Sequence, residues 1–133
     1  MKPVLVQTAD AVLTIDADEG VVEIEAGARL ARPPDLAVSL PGVVACVGAG
    51  STRVALLERR PPLAVSYDAG RTWHEAGGGL PHGQAIAIDE DDPDSILFAA
   101  RNRVWVSHDG GRFWESVAID LPEIEAVAFA PLA

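Results

Sequence analysis

The sequence predicts an all-β fold in which a four-stranded antiparallel unit occurs three times. The clearest sign is an eight-residue segment: residues 66–73, SYDAGRTW, return 41 positions later as residues 107–114, SHDGGRFW. A Leu-Pro pair recurs at about the same spacing, starting at positions 40, 80 and 121, and a short run rich in small and β-branched residues follows each pair. No stretch keeps a 3.6-residue hydrophobic period, so almost no helix is expected.

The unit between the second and third Leu-Pro pairs shows the strands most clearly. Its turns carry Asp-Pro-Asp at 92–94, Arg-Asn-Arg at 101–103 and Asp-Gly-Gly at 109–111, and such clusters mark the ends of strands. Four strands in about 41 residues is the repeat of a β-propeller blade. The predicted strands of this unit are residues 85–89, 95–100, 103–107 and 113–117.

The rest of the chain divides by comparison with that blade. The N-terminal part matches the second to fourth strands of a blade, while the C-terminal run matches a first strand alone. Placed end to end, the two parts make one blade, so the last strand is expected to complete the first blade. The predicted segments are residues 3–26 for strands two to four of the first blade, 27–42 for a long connector, 43–80 for the second blade, 81–118 for the third blade and 123–131 for the closing strand.

Three blades are too few for a closed propeller, because propellers have about four to eight. An open half-ring would leave sheet faces and edges uncovered, and such surfaces favour association. We therefore expect a homodimer in which two copies around a two-fold axis form a propeller of about six blades, with each tail strand completing the partner's first blade. The alternative is that the chain is a piece of a longer propeller.

The repeated eight-residue segment has a local physical explanation. An Asp at the head of a hairpin accepts N–H bonds from its own turn, and the Gly two positions later takes a positive φ at little cost. The Ser hydroxyl two positions before the Asp can join this network. The Trp then covers the hairpin with its ring and buries a large apolar area.

This Ser-x-Asp-x-Gly-x-Thr-Trp pattern resembles the Asp-box, or bacterial neuraminidase repeat, of propellers in sialidases, xyloglucan-hydrolysing enzymes, sortilin-type receptors and the photosystem II assembly factor. Residues 66–73 match every fixed position, residues 107–114 have Phe113 where Thr is usual, and residues 14–21 match poorly. The resemblance implies a propeller fold, with the box in a structural role remote from the ligand face. The residues to which it assigns that role are Ser66, Asp68, Gly70, Thr72, Trp73, Ser107, Asp109, Gly111 and Trp114.

Composition excludes several classes of protein. The 133 residues have a net charge of −10, which argues against nucleic-acid binding because that requires a cationic surface. The single cysteine, Cys46, excludes an internal disulfide and a zinc site built from cysteines, and its apolar surroundings favour a core position. The first residues lack a signal-peptide pattern and no run has the length of a membrane span. We therefore expect a cytoplasmic protein with no membrane contact and no cofactor.

No metal site is expected. The acidic run at residues 89–94 lacks the alternating ligand pattern of a calcium loop. His74, His82 and His108 show no paired spacing of the kind that holds zinc.

Arginines are concentrated on one predicted face of the fold. The loops between the second and third strands of a blade, and those that join one blade to the next, carry six of the nine arginines. The guanidinium fork suits carboxylate, phosphate or sulfate groups. The alternative is that these arginines solubilise turns and pair with neighbours such as Glu58 or Asp35. The candidate binding residues are Arg29, Arg32, Arg59, Arg60, Arg101 and Arg103.

The connector at residues 27–42 holds two of these arginines and is about ten residues longer than its counterparts. Long loops on a rigid scaffold are common places for function. A tolerated insertion that covers an edge explains the length equally well.

These features favour a non-catalytic binding or assembly module for an anionic glycan, an acidic protein segment or another anion. One alternative is a glycoside hydrolase or lyase acting on a polysaccharide, with carboxylates such as Asp10, Glu58 or Glu123 in a channel between protomers. A third interpretation is a blade-supplying part of a larger complex without a ligand of its own. Sialidase chemistry is not expected, because the only tyrosine, Tyr67, lies in a turn on the opposite face and the Phe-Arg-Ile-Pro motif is missing.

Overall fold

Three four-stranded antiparallel sheets make up the computed structural model of the chain, as the sequence predicted. The structure describes residues 2–16, 19–31, 36, 38, 40–117 and 120–130. These residues contain no helix, and therefore none that could cross a membrane. The strands are β1 Val4–Gln7, β2 Ala11–Asp16, β3 Gly20–Ala26, β4 Val43–Ala49, β5 Thr52–Leu57, β6 Leu63–Ser66, β7 His74–Ala76, β8 Ala85–Asp89, β9 Asp92–Ala100, β10 Arg103–Ser107, β11 Glu115–Ser116 and β12 Ala126–Phe129.

In two of the three sheets, neighbouring strands also follow one another along the chain. Sheet 1 is the exception, because it contains the last strand of the chain beside the first. Sheet 2 has the order β4-β5-β6-β7 and sheet 3 the order β8-β9-β10-β11. Sheet 1 has the order β12-β1-β2-β3, and its register pairs Val4 with Phe129 and Gln7 with Ala126. The sequence led us to expect this last strand from a partner chain, but here it pairs with the first strand of its own chain. The arrangement is consistent with three propeller blades.

Two strands of sheet 3 differ in extent from their prediction. β9 begins at Asp92 rather than at residue 95, because Glu90 and Asp91 form the turn and Asp92 already pairs with Asp89. β11 consists of two residues only, because the N–H of Phe113 still bonds to a carboxylate of the preceding turn.

Sheet 3 lies between the other two sheets. Alternate residues along its strands point to opposite faces, and each face packs on one neighbouring sheet. The strands that stand first in the three sheet orders, β4, β8 and β12, lie side by side, with β8 between the other two. Fully buried residues of these two layers include Val6 and Val104 on the side of sheet 1, and Leu56, Ile96 and Phe98 on the side of sheet 2.

Part of the connector covers the outer face of sheet 2. Leu36, Val38 and Leu40 pack against the face that holds Cys46, Ala55, Leu57 and Ala64, and the N–H of Leu36 donates to the carbonyl of Cys46 at 3.2 Å. Cys46 is buried in this layer, as expected of a core residue. The covering interpretation of the long connector therefore holds for Leu36, Val38 and Leu40.

Candidate functional site

The alternating strand directions divide the connections between two edges of the three sheets. Turns that join the second to the third strand of a sheet, and connectors from one sheet to the next, lie on one edge. We call this the upper edge, and the opposite one the lower edge. Among the described residues, the upper edge comprises residues 8–10, 27–31, 36, 38, 40–42, 58–62, 77–84, 101–102, 117 and 120–125, and the lower edge residues 19, 50–51, 67–73, 90–91 and 108–114.

The first full turn of the repeated segment is a closed hydrogen-bond network on the lower edge. The hydroxyl of Ser66 donates to Oδ1 of Asp68 at 2.7 Å, and accepts the N–H of Gly70 at 2.8 Å. Thr72 donates its N–H and its hydroxyl to the same carboxylate, at 2.9 and 2.6 Å. The indole of Trp73 donates to the carbonyl of Gly70 at 3.1 Å.

The second turn repeats this network almost bond for bond. Ser107 donates to Asp109 at 2.8 Å and accepts the N–H of Gly111 at 2.9 Å. The N–H of Phe113 reaches Oδ1 of Asp109 at 3.0 Å, and the indole of Trp114 donates to the carbonyl of Gly111 at 3.0 Å. The bond missing here is the hydroxyl bond that Thr72 makes in the first turn, because Phe113 has none. The third, poorly matching copy has its central residues, 17 and 18, outside the described residues.

Both aspartates are held in their ionised form. Donation from the Thr72 hydroxyl, then from its N–H and from Ser66, lowers the pKa of Asp68 far below its usual range. The N–H of Phe113 is the largest influence on Asp109 and lowers its pKa as well. A general acid needs a raised pKa, so these carboxylates act as turn acceptors and not as proton donors.

The tyrosine and the histidines are spread over the molecule. The hydroxyl of Tyr67 donates to the carbonyl of Gly110 at 2.7 Å, and the Arg112 guanidinium lies 5.2 Å from its ring centre. These contacts tie the lower-edge turns of sheets 2 and 3 together. His74 stacks near Tyr67, whereas His108 contacts Ser95. In the described part of the chain, no group of three or more His, Cys, Asp or Glu side chains is arranged to hold a metal ion.

The acidic run on the lower edge is partly neutralised by the only lysine. Lys2 contacts Asp89 at 2.8 Å and Asp91 at 2.9 Å. Burial opposes ionisation of Asp89, but the hydrogen bond from Lys2 and the N–H of Asp91 outweigh it and lower its pKa. Because Lys2 precedes β1, this ion pair also fastens sheet 1 to sheet 3.

Four of the six candidate arginines lie on the upper edge, Arg103 is the first residue of β10 directly after it, and Arg32 lies outside the described residues. Arg29 pairs with Glu125 at 2.6 Å, and Arg59 donates to the carbonyl of Pro41 at 2.7 Å. Arg60, Arg101 and Arg103 are exposed. Within the described ranges, no ion pair forms between these three and any carboxylate.

The turn with Arg60 and the turn with Arg101 belong to neighbouring sheets. Both follow the second strand of their sheet, and sheets 2 and 3 pack directly on each other. Arg103 opens the next strand after the turn of Arg101. We define these three residues as the arginine edge.

An open cleft of about 430 Å³ also lies on the upper edge, between sheets 1 and 3. Its wall is acidic rather than basic. Glu123 accepts a bond from Gln84 at 3.3 Å, and Glu125 accepts one from Gln7 at 3.2 Å besides its ion pair with Arg29. The bonds from Gln7 and Arg29, in that order, lower the pKa of Glu125. The cleft is lined by Ala9, Gln84, Glu123, Ile124 and Glu125.

Of the three carboxylates considered for catalysis, only Glu123 lines this cleft. Asp10 and Glu58 occupy upper-edge turns of sheets 1 and 2 and are not among its lining residues. Sequence reasoning missed Glu125 and Gln84. The spacing of Glu123 and Glu125 held a usable signal, since residues two apart in an extended segment share a side.

Comparison with known proteins identifies no family. No family model and no curated protein matches the chain. Among solved structures, the crystal structure of the GH74 enzyme of Niastella koreensis is similar at 18% identity with a TM-score of 0.44. The match covers 90% of this chain and 18% of that chain. A resemblance of this extent assigns the chain neither a family nor a function.

Proposed function

We propose that the chain is a non-catalytic binding or assembly module of the Asp-box propeller type, which binds an anionic glycan or an acidic protein segment through its arginine edge. The observation that supports this is the state of Arg60, Arg101 and Arg103. They are exposed, they come from neighbouring sheets, and no ion pair joins them to a described carboxylate. The chain has a net charge of −10, so carboxylates are abundant, and yet these three arginines form no ion pair with a described carboxylate.

The rest of the molecule makes such a site selective. A protein with an excess of acidic groups repels polyanions over most of its surface, so an anion is retained only where cations cluster. The guanidinium group offers two parallel N–H donors to a carboxylate or sulfate. Binding at this edge should therefore weaken as the salt concentration rises.

The test compares two variants with the same change in charge. R60Q/R101Q/R103Q removes the arginine edge, whereas R53Q/R71Q/R112Q removes three arginines of the lower-edge side. The probes are a fluorescent oligoglutamate peptide and a sulfated oligosaccharide. We expect the first variant to lose at least about tenfold in affinity for one probe, since about 1.4 kcal/mol of lost contacts is tenfold. Equal losses in both variants, or no binding by the unmodified chain, would contradict the proposal.

A second candidate function is supported by the cleft. Glu123 and Glu125 lie in one cleft, and glycosidases use two carboxylates on either side of the scissile bond. Glu125, with its lowered pKa, would be the ionised base or nucleophile of a glycoside hydrolase or lyase, and Glu123 would be the second carboxylate of the pair. Release of reducing ends from polysaccharides, abolished by E123Q and by E125Q but retained by E115Q on β11, would establish this activity. Absence of release from a panel of neutral and acidic polysaccharides would dismiss it.

We also propose that the three sheets are three blades of a six-bladed propeller that two chains complete around a two-fold axis. The support is the repeated strand order, the packing of each first strand beside the next, and the open arc in which sheets 1 and 2 form the two ends. Strand exchange is not needed for this dimer, because β12 completes sheet 1 within its own chain.

A further inference from the structure

We propose that Arg101 is the residue on which the affinity of the arginine edge depends, and that the turn of sheet 3 holds it for this purpose in a strained backbone conformation. This inference rests on the anion binding proposed above and names the residue that determines its strength.

The turn of Arg101 is the tightest of the three turns that join a second strand to a third strand. Ala100 pairs with Arg103, so only Arg101 and Asn102 lie between β9 and β10. The corresponding turns of sheets 1 and 2 are longer. A two-residue hairpin loop requires a positive φ at its first residue, because only then does the twist of the turn match that of the strands.

The sequence places an unfavourable residue at this position. Arg101 has φ 54°, in the left-handed region, where Gly, Asn and Asp are the usual residues. Asn102 would tolerate this conformation better, but it occupies the second position of the turn and lies outside the left-handed region. The turn therefore carries a conformational cost that an exchange of its two residues would remove.

Contacts within the chain do not account for an arginine here. Ala69 is the other described non-glycine residue in the left-handed region, and its side chain is a single methyl group. The side chain of Arg101 is long and exposed, and its guanidinium makes no hydrogen bond or ion pair with a described residue. Strain of this kind is concentrated at ligand-binding and active sites.

The carboxylates of the upper edge leave the guanidinium of Arg101 available. Glu123 lies in the segment before β12 and accepts a hydrogen bond from Gln84 at 3.3 Å. Glu58 belongs to the same turn as Arg60. Neither carboxylate forms an ion pair with Arg60 or Arg101, so both arginines can accept an external anion.

A backbone bond fixes the position of Arg101. The N–H of Ile124 donates to the carbonyl of Arg101 at 2.6 Å, and Ile124 is buried between sheets 1 and 3. The base of the arginine side chain is therefore anchored to the packed core. A cation that is positioned in advance loses less conformational entropy when it binds an anion.

The other two arginines lie on the side of sheet 2. Arg103 is two positions before Trp105, so both side chains share the face of sheet 3 that packs on sheet 2. Leu63, which follows the turn of Arg60, packs in the same layer. Arg60 and Arg103 can therefore supplement an anion contact at Arg101 from one side.

The test exchanges the two residues of the turn. R101N/N102R keeps the composition and the net charge, gives the left-handed position to Asn and moves the guanidinium by one residue. We expect a higher urea midpoint than that of the unmodified chain, because the strain is relieved. We also expect about tenfold weaker binding of the oligoglutamate peptide or of the sulfated oligosaccharide, because the charged hydrogen bonds to Arg101 are lost.

Two further variants separate strain from binding. A69G relieves the same kind of strain on the lower edge, so its urea midpoint should rise while its affinity equals that of the unmodified chain. R103Q removes a charge but keeps Arg101, so its loss of affinity should be smaller than that of R101N/N102R.

Each result decides between the inference and the proposed function. Unchanged affinity of R101N/N102R, together with weaker binding by R60Q/R101Q/R103Q, would overturn the role of Arg101 and leave the arginine edge in place. A lower urea midpoint of R101N/N102R, or a larger loss of affinity in R103Q, would also overturn the inference alone. If neither probe binds the unmodified chain, the proposed function fails and the inference fails with it.

Discussion

Asp68 shows how a single side chain fixes a turn. Its carboxylate accepts three hydrogen bonds, one from the Ser66 hydroxyl and two from Thr72. The equivalent Asp109 does the same in sheet 3. Both networks connect residues within one eight-residue segment, so these hydrogen bonds were predictable from the sequence.

The stability of D68N should depend on pH in a defined direction. Folding lowers the pKa of Asp68, so its contribution is present above the unfolded pKa of about 4 and is lost as the pH falls through the lower folded value. We expect D68N to melt below the unmodified chain at pH 7, with a difference that shrinks below about pH 4. The exposed Asp120 provides the control D120N, which should match the unmodified chain. Equal melting of all three at pH 7 would remove the network as a stabilising feature.

The two turns also differ at one backbone position. Ala69 has φ 61°, in the left-handed region, where the second turn has Gly110 with φ 75°. A69G should stabilise the chain by about 1 kcal/mol, because a side chain in this region costs about that much. G110A should destabilise it by at least about 1 kcal/mol, since the new Cβ would also lie 3.1 Å from Cε1 of Tyr67. Urea unfolding measures both, and opposite signs are the expected result.

At the scale of elements, the strands were predictable and the connector was not. Turn residues and β-branched runs predicted most strands to within a few residues. The prediction for β11 was too long, because Phe113 still hydrogen-bonds to the carboxylate of the preceding turn. The additional residues of the connector have no equivalent in its shorter counterparts, so the length of the connector could indicate function or cover equally well. Contacts from Leu36, Val38 and Leu40 decided for cover in that part, and such contacts between distant segments leave no local pattern.

The cover predicts a change in the reactivity of Cys46, whose residue is 1% exposed beneath it. V38A should open this layer, so a thiol reagent should modify Cys46 faster than in the unmodified chain. L121A, in the layer between sheets 1 and 3, is the control for general destabilisation. Rates compared at equal unfolding free energy should remain higher for V38A. Equal rates would show that Leu36, Val38 and Leu40 do not protect this face.

For the whole molecule, the repeats predicted three units. They did not predict the spatial order of the units, in which sheet 3 lies between sheets 1 and 2. Sheet 3 is central because the last strand returns to sheet 1 beside β8, which leaves sheets 1 and 2 as ends. The concentration of arginines on one edge was predictable from the sequence. Which of them pair with a carboxylate was not predictable: Arg29 pairs with Glu125, whereas Arg60, Arg101 and Arg103 are exposed.

The predictable and the unpredictable parts of the upper edge differ in how far apart in the sequence the contacting residues are. Glu125 is 96 positions from Arg29, and Gln84 is 39 positions from Glu123. Pairings of this range depend on sheet packing, so the acidic cleft appears only in three dimensions. The arginine edge, by contrast, depends on turns whose positions the repeat already fixes.

The central claim, anion binding by the arginine edge, is tested most directly by following the arginine side-chain Nε–H signals in an NMR titration with an oligoglutamate peptide and with a sulfated oligosaccharide. We predict that the signals of Arg60, Arg101 and Arg103 shift in a saturable, salt-sensitive manner with at least one of these probes, while those of Arg53, Arg71 and Arg112 stay in place. Uniform shifts of all arginines, or shifts confined to the second group, would contradict the account.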